Sequence, residues 1–178
     1  MIGLQLLAPL VLLVGCGYST RPDHGEQALA DGHLPTTAVV PFDTNSYRRG
    51  LEVRLSRRIA DEIRSRSPQS PESVTRADWL VSGTIINAYE RVLSEDSDDS
   101  VRESSFWIVT EIELRDRSAD RIIATTRITK SQSFSVHAGR FRTWEQASEE
   151  VLRETAEAIV YWLEATDAKI TNKKNSGS

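Results

Sequence analysis

The sequence predicts an α/β (α+β) two-layer sandwich, with four strands and with both helices on one face of the sheet. Three observations predict it. The apolar pattern runs strand, helix, three strands, helix. Each helical stretch carries one apolar stripe, so it has one face to bury and one to leave in water. The clearest strand, Ser104 to Arg115, alternates: Phe106, Ile108, Thr110, Ile112 and Leu114 fall on one side, Glu111, Glu113 and Arg115 on the other. One sheet face is thus covered and the other can stay polar.

Ahead of the domain lies a leader. The thirteen residues Ile2 to Val14 hold no charge and one polar side chain, Gln5. Such a run falls short of the ~20 apolar residues a spanning helix needs, and it has the length of a secretory h-region. Leu13-Val14-Gly15-Cys16 looks like a bacterial lipobox. A thiol is needed there as the alkylated nucleophile, a small residue before it to fit the peptidase, and Leu upstream as an apolar anchor. Residues 1–15 are expected as a lipoprotein signal peptide, cut between Gly15 and Cys16, with Cys16 lipidated. The competing reading is an ordinary signal peptide, or a clipped membrane helix, that happens to contain a cysteine. The stretch before Gln5 has no Lys or Arg, which secretory leaders normally carry; a start codon placed too far downstream would explain it.

Composition narrows the classes. Of 178 residues, about 160 remain after such a cleavage, enough for one domain with a proper core. Hydrophobic content of 39% and charged content of 27% are globular values and argue against wholesale disorder. The net charge of −4 gives no basic footprint for nucleic acid. With Cys16 modified, no thiol remains for a disulfide, a zinc site or a nucleophile.

In chain order, residues 16–36 read as a lipidated tether, broken up by Pro22, Gly25, Gly32 and Pro35. Thr36 to Phe42 suits a buried strand that Pro41 cuts short. From Gly50 to Arg66, Leu51, Leu55, Ile59 and Ile63 recur every four residues and form a helical stripe; Pro68 and Pro71 end it. Asp78 to Leu93 is the second strand, with Gly83 marking a bulge or a close backbone approach. Ser94 to Ser100 is an acidic loop, and Asp116 to Asp120 a turn into a Thr-rich strand, Ile122 to Val136. A helix from about Trp144 to Ala165 opens on a capping box, Thr143 with Gln146. The single α/β domain is expected over 37–166, followed by a disordered polar tail, 167–178.

The polar constellations favour surfaces over chemistry. His24, His33 and His137 have no carboxylate at ligand spacing, so no metal site and no cofactor are expected. No phosphate-cradling glycine loop, nucleophile elbow or paired-carboxylate motif occurs, and the chain is read as no enzyme. Glu95 to Asp99 reads as a solvated loop rather than a calcium site. Seven arginines lie between Arg48 and Arg66, and guanidinium forks recognise phosphate. Arg54, Arg57 and Arg64 are the candidate contacts to a phosphorylated glycolipid. Against this, Asp61 and Glu62 lie within pairing distance of Arg57 and Arg58, which favours a self-neutralised surface. Trp107 and Val109, opposite the core stripe, form either a partner patch or a stretch buried under a loop or in a two-sided sheet.

Several motifs together resemble a known family. Cys16-Gly17-Tyr18 after the lipobox, Ala38-Val39-Val40-Pro41-Phe42-Asp43 leading into an amphipathic helix, Ala77 to Ile85, Leu114-Arg115-Asp116 and the closing helix are similar to the LPS-assembly lipoproteins, small partners of the outer-membrane LPS translocon. The likeness covers about Val14 to Leu163. It implies a mixed four-stranded sheet with two helices on one side. It further implies a non-catalytic protein, lipid-anchored on the periplasmic face of the outer membrane, that plugs a large β-barrel translocon, assists its assembly and touches LPS. Gly17 after the lipidated cysteine fits outer-membrane sorting. Only Cys16 carries over as a functional position. The Val39-to-Phe42 strand feeding a helix also resembles lipoproteins that activate peptidoglycan synthases or build secretion channels, and this is the alternative reading.

Overall fold

The computed structural model describes residues 34–68, 73–95, 101–135 and 143–176. Its elements are β1 (Thr37–Val39), β2 (Asp43–Thr44), α1 (Leu51–Arg66), β3 (Trp79–Glu95), β4 (Val101–Asp116), β5 (Arg121–Ser135) and α2 (Trp144–Asn175). The expected leader, the expected tether with Cys16 as far as residue 33, the three histidines and the centre of the acidic loop lie outside the described residues.

The sheet is mixed, in the order β1-β3-β4-β5, with β2 also pairing β3. β1 and β2 run parallel to β3, and the other pairs are antiparallel. The buried strand expected over residues 36–42 is therefore an edge strand in two pieces, β1 and β2. Val40 still donates its N–H to the Val81 carbonyl at 2.9 Å, Pro41 has none to give, and pairing resumes at Asp43 opposite Thr84. The edge of the sheet is one strand broken by a proline.

Both helices cover the same face. Leu51, Leu55, Ile59 and Ile63 of α1 meet Val151, Leu152, Ile159 and Leu163 of α2, over Val81, Ile85, Phe106, Ile108, Ile112 and Leu114 of the sheet. Each such side chain, fully buried, is worth roughly 1.5–3 kcal/mol relative to exposure. The alternation read in β4 holds at every position from Phe106 to Leu114. α1 starts from Gly50, whose φ of 89° is costly for any residue with a Cβ.

The capping box forms at α2. Gln146 donates its N–H to the Thr143 hydroxyl at 3.3 Å, and Thr143 donates its own to Gln146 Oε1 at 2.9 Å. The helix then runs to Asn175 instead of ending near Ala165, so residues 167–175, expected as a disordered tail, are helical. The physical reason lies in three residue choices. No Gly or Pro interrupts 144–175, Ile170 extends the buried stripe one turn past Thr166, and Lys173 and Lys174 favour the negative end of the helix dipole.

At the far end of the sheet the β3–β4 hairpin outruns the helices, and residues 89–95 are exposed on both faces. β5 is the other edge, and its Arg127 and Lys130 supply the charges that discourage strand-to-strand association.

Candidate functional site

Three surfaces concentrate the polar chemistry of the domain. The first is the seam between the helices. Glu149, in the second turn of α2, takes a guanidinium on each carboxylate oxygen, Arg54 on Oε1 and Arg58 on Oε2. Burial pushes the Glu149 carboxyl up, but hydrogen bonds and charge from Arg58 and Arg54 outweigh it and hold the group below the usual carboxylate range. Further along α1, Arg66 bridges Glu62 at 2.7 Å and Glu164 at 3.0 Å, and Arg64 meets Asp61 at 3.1 Å.

The self-neutralised surface expected from the sequence is therefore present, but with other pairs than those expected. Arg58 reaches across to α2, and Asp61 and Glu62 serve Arg64 and Arg66. The three candidate phosphate contacts are not brought together as one cluster. Arg54 faces α2, Arg64 is tied within its own helix, and Arg57 stands exposed on the outer side of α1.

The second surface is the clamp between loop 45–50 and the start of α2. The Arg48 guanidinium pairs with Glu90 and lies over two rings, 5.0 Å from the Trp144 centroid and 5.7 Å from that of Phe106. The two rings meet edge to face at 5.8 Å. Trp144 Nε1 and Glu52 Oε2 are buried with no hydrogen-bond partner.

The third is the uncovered sheet face. Strand register sets Thr84, Glu111 and Arg127 in one cross-strand row and Ser82, Glu113 and Thr125 in the next. Arg127 pairs with Glu111, and Arg115 with Glu113 at 2.8 Å. With Pro41 and Asp43 these rows line a groove of about 650 Å³. Towards the hairpin, Tyr89 stacks on Trp107 with ring centroids 6.2 Å apart, and the indole donates to the Ser105 hydroxyl at 2.7 Å. Trp107 and Val109 are half-buried on this open face, where the Tyr89 ring stacks on the indole.

These surfaces can bind through hydrogen bonds, charge and aromatic contact. Among the described residues no group of three His, Cys, Asp or Glu side chains could hold a metal ion. No described helix is long and apolar enough to cross a membrane. The seam pairs join helices 91 and 95 residues apart in sequence, which is why local spacing misses them.

The layered α+β domain, its exposed polar sheet face and its ion-paired helix seam define a protein of surfaces. Residues 34–162 match the model of the LptE lipopolysaccharide-assembly family, and the chain belongs to that family, the LPS-assembly lipoproteins named from its motifs. Among solved structures, protein XCC0632 from Xanthomonas campestris is similar at 14% identity and a TM-score of 0.55, over 78% of this chain and 88% of that one. Hypothetical protein CT253 from Chlamydia trachomatis is similar at 16% identity and a TM-score of 0.51, over 73% of this chain and 95% of that one. Rare lipoprotein B from Shewanella oneidensis shows 13% identity and a TM-score of 0.47, over 73% and 98%. At their identities the first two show a likeness of fold alone. No curated protein matches the chain in sequence.

Proposed function

We propose that this protein is an outer-membrane lipoprotein, anchored through Cys16, that assists LPS transport and assembly by binding and plugging a β-barrel translocon partner, without catalysing a reaction. The observation that carries the reading is the family match, which spans the sheet and most of both helices. The lipobox supports the anchor, and Gly17 supports outer-membrane sorting. The physics agrees. Two or three acyl chains hold a protein stably at a bilayer where one does not. Confinement to the partner's own leaflet raises effective concentration without any new contact.

The test is affinity purification of the tagged protein from detergent-solubilised envelope, with Cys16→Ala alongside and partners identified by mass spectrometry. A stoichiometric large β-barrel protein, reduced in the variant, is the expected result. Recovery of a peptidoglycan synthase, or of a ring of the chain alone, would overturn it.

A further inference from the structure

The arginines of loop 45–50 and α1 divide into two groups. Arg48, Arg54, Arg58, Arg64 and Arg66 are each held by a carboxylate. Arg49 and Arg57 have no ion pair or hydrogen bond from their side chains among the described residues. These two uncommitted cations have apolar company. Tyr47 stands wholly in solvent, and Val53 is 48% exposed.

Helix geometry explains the grouping. Leu51, Leu55, Ile59 and Ile63 point into the core, so at 100° per residue Val53, Arg57, Ala60 and Arg64 form the opposite row. Asp61, the acidic residue beside that row, is engaged by Arg64. The row therefore keeps a net positive, partly apolar surface, although the chain as a whole is acidic.

The loop that presents Tyr47 is built and fixed. Asn45 donates its N–H to the Ile85 carbonyl at 2.9 Å, the Thr44 hydroxyl accepts from Ser46 N–H at 3.1 Å, and the Ser46 hydroxyl accepts from Arg48 N–H at 3.1 Å. Arg48 is clamped below by Glu90, Phe106 and Trp144, and Gly50 turns the chain into α1. An aromatic side chain left fully exposed on a fixed loop, next to unpaired guanidinium groups, loses little freedom when it meets a partner.

We infer that, while the domain is outside its barrel partner, the Tyr47–Arg49–Val53–Arg57 face rests on the phospholipid leaflet that holds the anchor, its arginines on the phosphates of anionic headgroups. A tyrosine has the apolar body and polar tip that suit headgroup depth, arginine forks match phosphate oxygens, and basic side chains are drawn to anionic lipid. Reach is sufficient. The eighteen residues Gly17 to Leu34 span at most about 60 Å, so the lipid on Cys16 keeps the domain at the leaflet. The inference rests on that anchor, and it gives the anchored domain a fixed side facing the membrane until it enters the barrel.

The experiment uses the purified lipidated protein in vesicles. Acylation blocks Cys16, so Ala60→Cys supplies a single thiol for an environment-sensitive fluorophore on the outer row of α1. Flotation with vesicles reads the anchor; fluorescence and quenching by nitroxide lipids read the docked face. On phosphatidylglycerol-containing vesicles the expected result is a blue shift with quenching. With Arg49→Glu and Arg57→Glu together the docked fraction falls roughly tenfold, while flotation and the thermal midpoint hold. Tyr47→Ala gives a smaller loss. A probe at Ile122, exposed on β5, stays unquenched.

A protein that floats without quenching overturns the docking and leaves the anchor standing. Equal quenching on phosphatidylcholine alone, or quenching that survives the charge reversal, overturns it as well. A shift that appears only when envelope protein is added assigns the face to a protein partner and overturns the lipid assignment. Failure to float overturns the anchor, and the docking with it.

Discussion

The ring of Phe42 occupies the space that a Cβ on Gly83 would need, with Cε1 2.5 Å from that position. The carbonyl oxygen of Glu111 on β4 crowds the same point. Gly83→Ala should therefore destabilise the domain by about 1–3 kcal/mol, despite the better strand propensity of alanine. Urea denaturation measures it. Adding Phe42→Ala should not rescue the variant, because the Glu111 backbone cannot withdraw without breaking its strand.

Thr110 invites the opposite change. Its hydroxyl is buried in the middle of the β4 core stripe and has no hydrogen-bond partner. Thr110→Val keeps the shape and removes the unsatisfied group, so we expect a gain of about 1–2 kcal/mol in the same titration. A loss would mean that the oxygen is satisfied after all.

Glu149 sets a pH dependence of known sign. Its carboxyl titrates below the ordinary 4.5 in the folded protein. The contribution is therefore complete above that ordinary value and is lost as pH falls through the lower folded one. Glu149→Gln should cost about 0.5–1 kcal/mol at neutral pH, a modest figure because the pair is half-exposed and screened. As pH falls below 4.5 and through the lower folded value, the gap between variant and parent should narrow and then close. Urea midpoints followed from neutral to acid pH give the comparison.

Trp144 separates shape from polarity. Its indole N–H is buried without a partner, whereas its ring carries the contacts to Phe106 and Arg48. Trp144→Phe should cost less than about 1 kcal/mol, and Trp144→Ala about 2–3 kcal/mol, below the usual price of a fully buried tryptophan. Thermal unfolding ranks the two.

These particulars show where sequence reasoning reached and where it stopped. The β4 stripe, the α1 stripe, the capping box at Thr143 and the close approach at Gly83 are local patterns of period, spacing or residue size, and each was legible. The split of the edge strand was half legible. Pro41 announced an interruption, but the resumption at Asp43 depends on β3 lying alongside. The mixed character of the sheet came from family resemblance, but which strand runs parallel was not legible, since periodicity carries no direction. The Arg54–Glu149–Arg58 seam was invisible because its members meet only once both helices share a face. The long α2 was missed because a polar run was read as a tail, although it contains no breaker and carries Ile170 one turn beyond Thr166.

The strand order also decides how the domain bears load. The described chain enters through β1, whose register runs parallel from Thr37 beside Trp79 to Val39 beside Val81. The Thr36 carbonyl adds bonds from Asp78 and Trp79 N–H at 2.8 and 3.0 Å. A pull on the residues before Leu34, directed along the strand, strains these bonds in shear, all at once, instead of opening them singly. The short edge strand thus serves as a mechanical clasp between the domain and whatever holds its amino-terminal end.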